Sequence, residues 1–130
     1  MAHVIDPDGL PYAREKLARK DQVEAQSFFA LDLRAGRVLE VEDFPEVRKP
    51  AWKLTVDFGP VVGRLQTSAQ IKNYSRDQLV GRMVVGALNL GEKRIAGFVS
   101  QFLVLGTLRA DGTVDLLEVG AEVSPGAPIA

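Results

Sequence analysis

The stretch WKLTVDFGPVVGRLQ, residues 52–66, decides the fold. Trp52, Leu54, Val56 and Phe58 alternate with Lys53, Thr55 and Asp57, the period-two pattern of a strand with one buried face. Gly59-Pro60 signals a tight turn, and Val61–Gln66 reads as the returning strand of a hairpin. On that return Val61, Gly63 and Leu65 are expected inward, and Val62, Arg64 and Gln66 outward.

Upstream of this hairpin, Arg37–Glu42 is rich in β-branched residues and reads as a first strand. It ends at the turn Asp43-Phe44-Pro45-Glu46, and Pro45 and Pro50 bracket a loop holding Arg48 and Lys49. Downstream, Gln66–Asn73 is polar with one apolar anchor, Ile71. Ser75–Val80 fits a single short helix with Ser75 as N-cap, Leu79 and Val80 inward, and Gly81 as stop. Arg82–Leu88 is a nearly continuous apolar run, hence a strand buried on both faces or in a barrel wall. The stretch Asn89–Gly106 then runs from a polar loop through the basic pair Lys93-Arg94 and a glycine-hinged apolar segment to Ser100. A further strand is expected over Phe102–Leu108, turned at Ala110–Thr113 and paired with Val114–Val119.

Hairpin spacings rather than βαβ spacings connect these strands. The expectation is an all-β fold: a five-stranded OB-fold Greek-key barrel, a short helix between strands three and four, and added C-terminal strands. Ahead of the barrel, residues 1–27 read as an N-terminal extension. Its helix is expected over Tyr12–Gln26, with a thin apolar stripe of Leu10, Ala13 and Leu17. Ser27–Asp32 reads as a capped turn delivering Phe28 and Phe29 inward. Residues 28–130 form the domain proper.

A chain of 130 residues with 46% hydrophobic and 25% charged residues suits one domain with its own core. It holds no cysteine, and its one histidine is His3. Disulfides, thiolate chemistry and a Ser-His pair are therefore excluded. No GxxxxGK[ST], GxGxxG or G-x-S-x-G motif occurs, so no enzyme activity, cofactor or metal is expected. The apolar runs are too short to span a bilayer and the N-terminus lacks a signal-peptide pattern, so a cytoplasmic soluble protein without membrane insertion is expected. The net charge of −1 conceals segregation: residues 31–106 hold eleven basic and eight acidic groups, a net of +3. Weak binding of a polyanion by this middle segment is allowed.

OB barrels bind ligands on an outer strand face and with rim loops. Lys53, Arg64 and Gln66 fall on outward positions of adjacent strands. Thr67, Ser68 and Gln70 supply short polar donors and acceptors, and Arg94 and Ser100 come from the Asn89–Gly106 stretch. Each of these also reads as a solvated surface residue, and Ser68 and Ser100 as strand-end hydrogen-bonding groups. Apolar excess at Phe28, Phe29 and the strand from Leu116 to Val119 points to a dimer interface.

Four separated segments carry a family resemblance: LDLRAGRV (31–38), FPEVRKPAWKLTVDFG (44–59), LQTSAQI (65–71) and NLGEKRIAGFVSQFLVLG (89–106). In order and spacing they resemble the CsaA branch of the tRNA-binding domain family, whose relatives are appended to methionyl- and phenylalanyl-tRNA synthetases and to EMAP II-like proteins. The resemblance covers about residues 28–130 and implies an OB barrel, a homodimer, and binding of unfolded polypeptides in export, with tRNA as a further ligand. It implies a binding loop at Gln66–Gln70 and a second motif of Asn89, Arg94, Gly97, Phe98 and Ser100. Two readings follow: a chaperone whose pocket includes Phe98, Phe44 or Trp52, and a tRNA-binding module without chaperone activity. Gly91-Glu92 stands where the branch carries prolines, and Phe102-Leu103 where tRNA-binding relatives carry Gly-Met.

Overall fold

The computed structural model describes residues 17–130. Five strands make the main sheet: β1 (Leu33–Asp43), β2 (Trp52–Asp57), β3 (Arg64–Ala69), β4 (Met83–Ala87) and β7 (Leu103–Val104). Their order is β3-β2-β1-β4-β7, antiparallel throughout. The open edges meet where Gln101 N donates to the Gln66 carbonyl at 2.8 Å and the Thr67 hydroxyl to the Phe102 carbonyl at 2.6 Å. The result is a nearly closed OB-type barrel, as the strand spacings predict.

The alternation over residues 52–58 survives intact. Leu54, Val56 and Phe58 are buried in the core with Val38, Val41, Ile71, Leu79, Val84 and Phe102. Phe58 and Phe102 meet edge to face at 4.9 Å. The return differs from expectation. Gly59–Val62 forms one helical turn, α2, so β3 starts at Arg64 and Val61 is 87% exposed rather than inward. Pro60 sits in its first turn, Asp57 accepts from Gly59 N at 2.8 Å, and Gly63 ends it at a φ of 82°.

β1 begins four residues before the expected Arg37, because Leu33–Arg37 pairs with β4 on one side while, along the other, the Ala127 carbonyl accepts from Ala35 N and Ile129 N donates to the Leu33 carbonyl. α3 (Arg76–Leu79) follows the anticipated design. Ser75 and Gln78 close a reciprocal capping box, Leu79 is fully buried, and Gly81 turns the chain at a φ of 84°. Val80, expected inward, is instead half exposed past the helix end. The strand expected over Phe102–Leu108 divides into β7 and β8 (Gly106–Leu108). β8 leaves the barrel to pair with β9 (Val114–Leu116).

The N-terminal expectation needs correction. Leu17–Glu24 has no regular structure, the one helix among the described residues of this segment is α1 (Ala25–Phe29), and Tyr12–Lys16 lies outside the described residues. Phe28 and Phe29 pack edge to face on each other and point to solvent, 42% and 68% exposed. Among its described residues this segment buries no side chain against the barrel, and so short a helix is marginal by itself in water.

Candidate functional site

Two rim elements face each other across β3. One is the β1–β2 loop, residues 44–51. The other is a hairpin of β5 (Lys93–Ile95) and β6 (Phe98–Ser100) inside the Asn89–Gly106 stretch. Ala96 and Gly97 join its strands with φ values of 48° and 80°, a two-residue type I′ turn. Between loop and hairpin lies a groove of about 420 Å³. Its walls are Val47, Ala51 and Ile95, its cations Arg48 and Lys49, and its floor Ser68 and Gln70.

Two contacts fix the groove's shape. Phe44, 2% exposed, packs edge-on against Phe98 at 5.5 Å, and Lys53 Nζ lies over both rings at 4.7 and 5.4 Å. This aromatic pair pins the hairpin to the loop. A seam of polar groups ties the hairpin to β3. Gln66 Nε2 donates to the Val99 carbonyl at 2.9 Å and Gln66 N to Gln101 Oε1 at 3.0 Å. The buried Thr67 and Ser100 hydroxyls share a hydrogen bond of 2.9 Å.

The electrostatics favour anions. Arg48, Lys49, Lys53, Lys93 and Arg94 make no ion pair among the described residues. Behind the loop, Lys72 donates to Asp43 and also lies 3.6 Å from the Trp52 ring centre. That hydrogen bond holds the Asp43 carboxyl below the ordinary aspartate value, against a small upward push from burial.

The expected site residues thus sort by position. Ser68 and Gln70 line the groove, and Lys53 and Phe98 support it. Gln66, Thr67 and Ser100 are engaged in the seam, so they position the hairpin rather than face a ligand. Arg64 is exposed at the other end of β3, opposite Asp57, away from the groove. Arg94 is exposed on β5 across from Val99. Asn89 uses both ends of its amide internally: Oδ1 accepts from Asp32 N and Nδ2 donates to the Ala30 carbonyl, each at 2.8 Å. Leu116 is buried in the core, not displayed at a subunit surface, while Val119 is half exposed. Arg48, Lys49 and Ile95 carry no functional expectation from the sequence. The available signal was two adjacent cations held between Pro45 and Pro50.

The family model described as "Putative tRNA binding domain" matches residues 33–128, from the first residue of β1 to the segment that returns beside it. The crystal structure of the CsaA chaperone protein from Picrophilus torridus superposes with a TM-score of 0.79 at 40% identity, over 84% of this chain and 100% of that one. The chaperone CsaA from Bacillus anthracis gives 0.79 at 41%, over 85% and 100%. The chain is a CsaA-type tRNA-binding domain. This family membership agrees with the barrel architecture. Methionine–tRNA ligase from Porphyromonas gingivalis is 32% identical over 122 residues, but the CsaA-type chain covers only 18% of that enzyme's length. No described helix is long and apolar enough to cross a membrane.

Proposed function

We propose that this CsaA-type domain acts in the cytoplasm as a homodimeric chaperone: it holds unfolded or export-bound polypeptides in the rim groove, and the same groove accepts tRNA. The groove's mixed lining carries this reading. Val47, Ala51 and Ile95 offer apolar contact to an extended chain's side chains, Ser68 and Gln70 offer hydrogen bonds to its backbone, and Arg48 and Lys49 attract its acidic residues. The 40% identity to a CsaA chaperone over that protein's whole length supports it.

The second reading is a tRNA-binding module without chaperone activity. The unpaired cations around the groove favour it, since they match phosphates as well as carboxylates. The aromatics beside the groove do not: Phe44 is buried and Phe98 lies under Lys53, so neither offers an open stacking face for bases there.

One experiment separates the two. Aggregation of a chemically denatured client is measured with wild type, Ile95→Glu, and Arg48→Ala/Lys49→Ala, alongside tRNA filter binding across a salt series. The chaperone reading expects suppression to saturate near stoichiometry and to fall sharply in Ile95→Glu. The double variant is expected to lower the salt slope of tRNA binding by about two. No suppression at severalfold excess, with salt-sensitive tRNA binding intact, leaves only the module.

A further inference from the structure

A second concave site lies outside the groove and takes no part in the reading above. Six residues back along β1 from Asp43, about 20 Å at a strand's rise, Arg37 lines a cavity of about 280 Å³ with Gly81, Arg82, Met83, Glu118 and Val119. Two guanidinium groups face one cavity, and each is already fixed in place. Arg37 Nη1 donates to the Gly81 carbonyl at 2.9 Å. Arg82 lies over the Tyr74 ring at 4.9 Å, and its Nη2 donates to Glu118 Oε1 at 3.0 Å. Each guanidinium carries five N–H donors, so most of them remain for something else.

One observation bears on what that something is. The only carboxylate in the cavity, Glu118, has a side chain 79% exposed, so its ion pair with Arg82 is weak and easily exchanged. An anion with more charge and more acceptor oxygens would compete with Glu118 for Arg82. A phosphate group supplies both: its oxygens match the guanidinium fork, and two arginines can grip it from two sides.

We propose that the Arg37–Arg82 cavity is a second, phosphate-binding site, in which a phosphate group displaces Glu118 from Arg82. The group is borne either by a small molecule or by the backbone of a bound RNA. Met83 and Val119 also line the cavity and offer apolar contact to whatever carries the phosphate.

The test titrates inorganic phosphate into the full chain by isothermal calorimetry, with chloride holding ionic strength constant. Saturable binding of one phosphate per chain is expected. Arg37→Ala should weaken it about tenfold or more, the loss of a charge-assisted contact. Glu118→Gln should tighten it severalfold by removing the resident anion. Both variants are checked for wild-type thermal melting, because neither side chain is part of the core. The groove variant Arg48→Ala/Lys49→Ala should bind phosphate as wild type does, which keeps this site separate from the groove. A tRNA arm assigns the source. Weaker tRNA binding by Arg37→Ala, with a salt slope reduced by about one, identifies backbone phosphate. Unchanged tRNA binding identifies a small phosphorylated molecule. Phosphate binding that does not saturate, or that Arg37→Ala leaves untouched, overturns the proposal.

Discussion

Ala96 is the one described non-glycine residue with a positive φ, and it heads the turn that aims the hairpin at the groove. An L side chain there costs about 1–2 kcal/mol, and type I′ turns prefer Asn-Gly in these two places. Ala96→Asn is expected to raise stability by about 0.5–1 kcal/mol. Urea denaturation measures this, and an unchanged or lower midpoint refutes it. The same scale explains why the candidate site was hard to read. Gln66, Thr67, Asn89 and Ser100 are polar residues beside loops, as a binding residue would be. Their partners lie 33 to 59 residues away in sequence, at Val99, Ser100, Thr67, Ala30 and Asp32. No local pattern distinguishes a hydroxyl that faces a ligand from one that faces a distant strand.

Among elements, β2 was the most legible because one buried face imposes strict alternation on six residues. α3 was nearly as clear, since its cap, length and stop are all written in adjacent residues. α2 and the β5–β6 hairpin were not. Pro60 begins a helical turn where a tighter turn was expected, and Ala96-Gly97 is a weak hairpin signal without an asparagine. The N-terminal half of β1 was missed for a different reason. Arg34, Ala35 and Gly36 have no strand preference of their own, and neighbouring β4 and the 126–129 segment recruit them. Gly36 has a specific role there. A Cβ at that position would stand 2.6 Å from Val56 Cγ1 and 2.7 Å from the Phe58 ring. Gly36→Ala is expected to destabilise the barrel by about 1–3 kcal/mol through overpacking. Thermal unfolding checks it; a melting temperature equal to wild type would show that the rings move aside freely.

For the molecule as a whole, residues 17–31 are the anomaly. All of them are exposed, α1 buries nothing, and Phe28, Phe29 and Leu31 stand outward together. Yet Asn89 clamps this segment to the barrel at Ala30 and Asp32. An apolar surface held in place and left uncovered suits a second copy of the chain. This is the physical motive for the proposed homodimer. Phe29→Asp is expected to yield monomers at micromolar concentration with the barrel still folded. Light scattering and far-ultraviolet circular dichroism read the two parts; a wild type that is already monomeric defeats the proposal outright.

The seam from Gln66 to Gln101 has a kinetic consequence. Hairpins β1–β2 and β2–β3 join near neighbours in sequence, but the ring of strands is completed between residues about 35 apart, largely through side-chain groups. Loop entropy makes such a contact slow to form, and few ladder bonds keep it shut. We expect the Gln101 amide to exchange with deuterium well before those of Leu54 and Val56, in an opening smaller than global unfolding. Equal protection at all three sites would show the seam and sheet to be one cooperative unit. The expected order makes the barrel a zipper whose last tooth lies two residues along β3 from the floor of the rim groove.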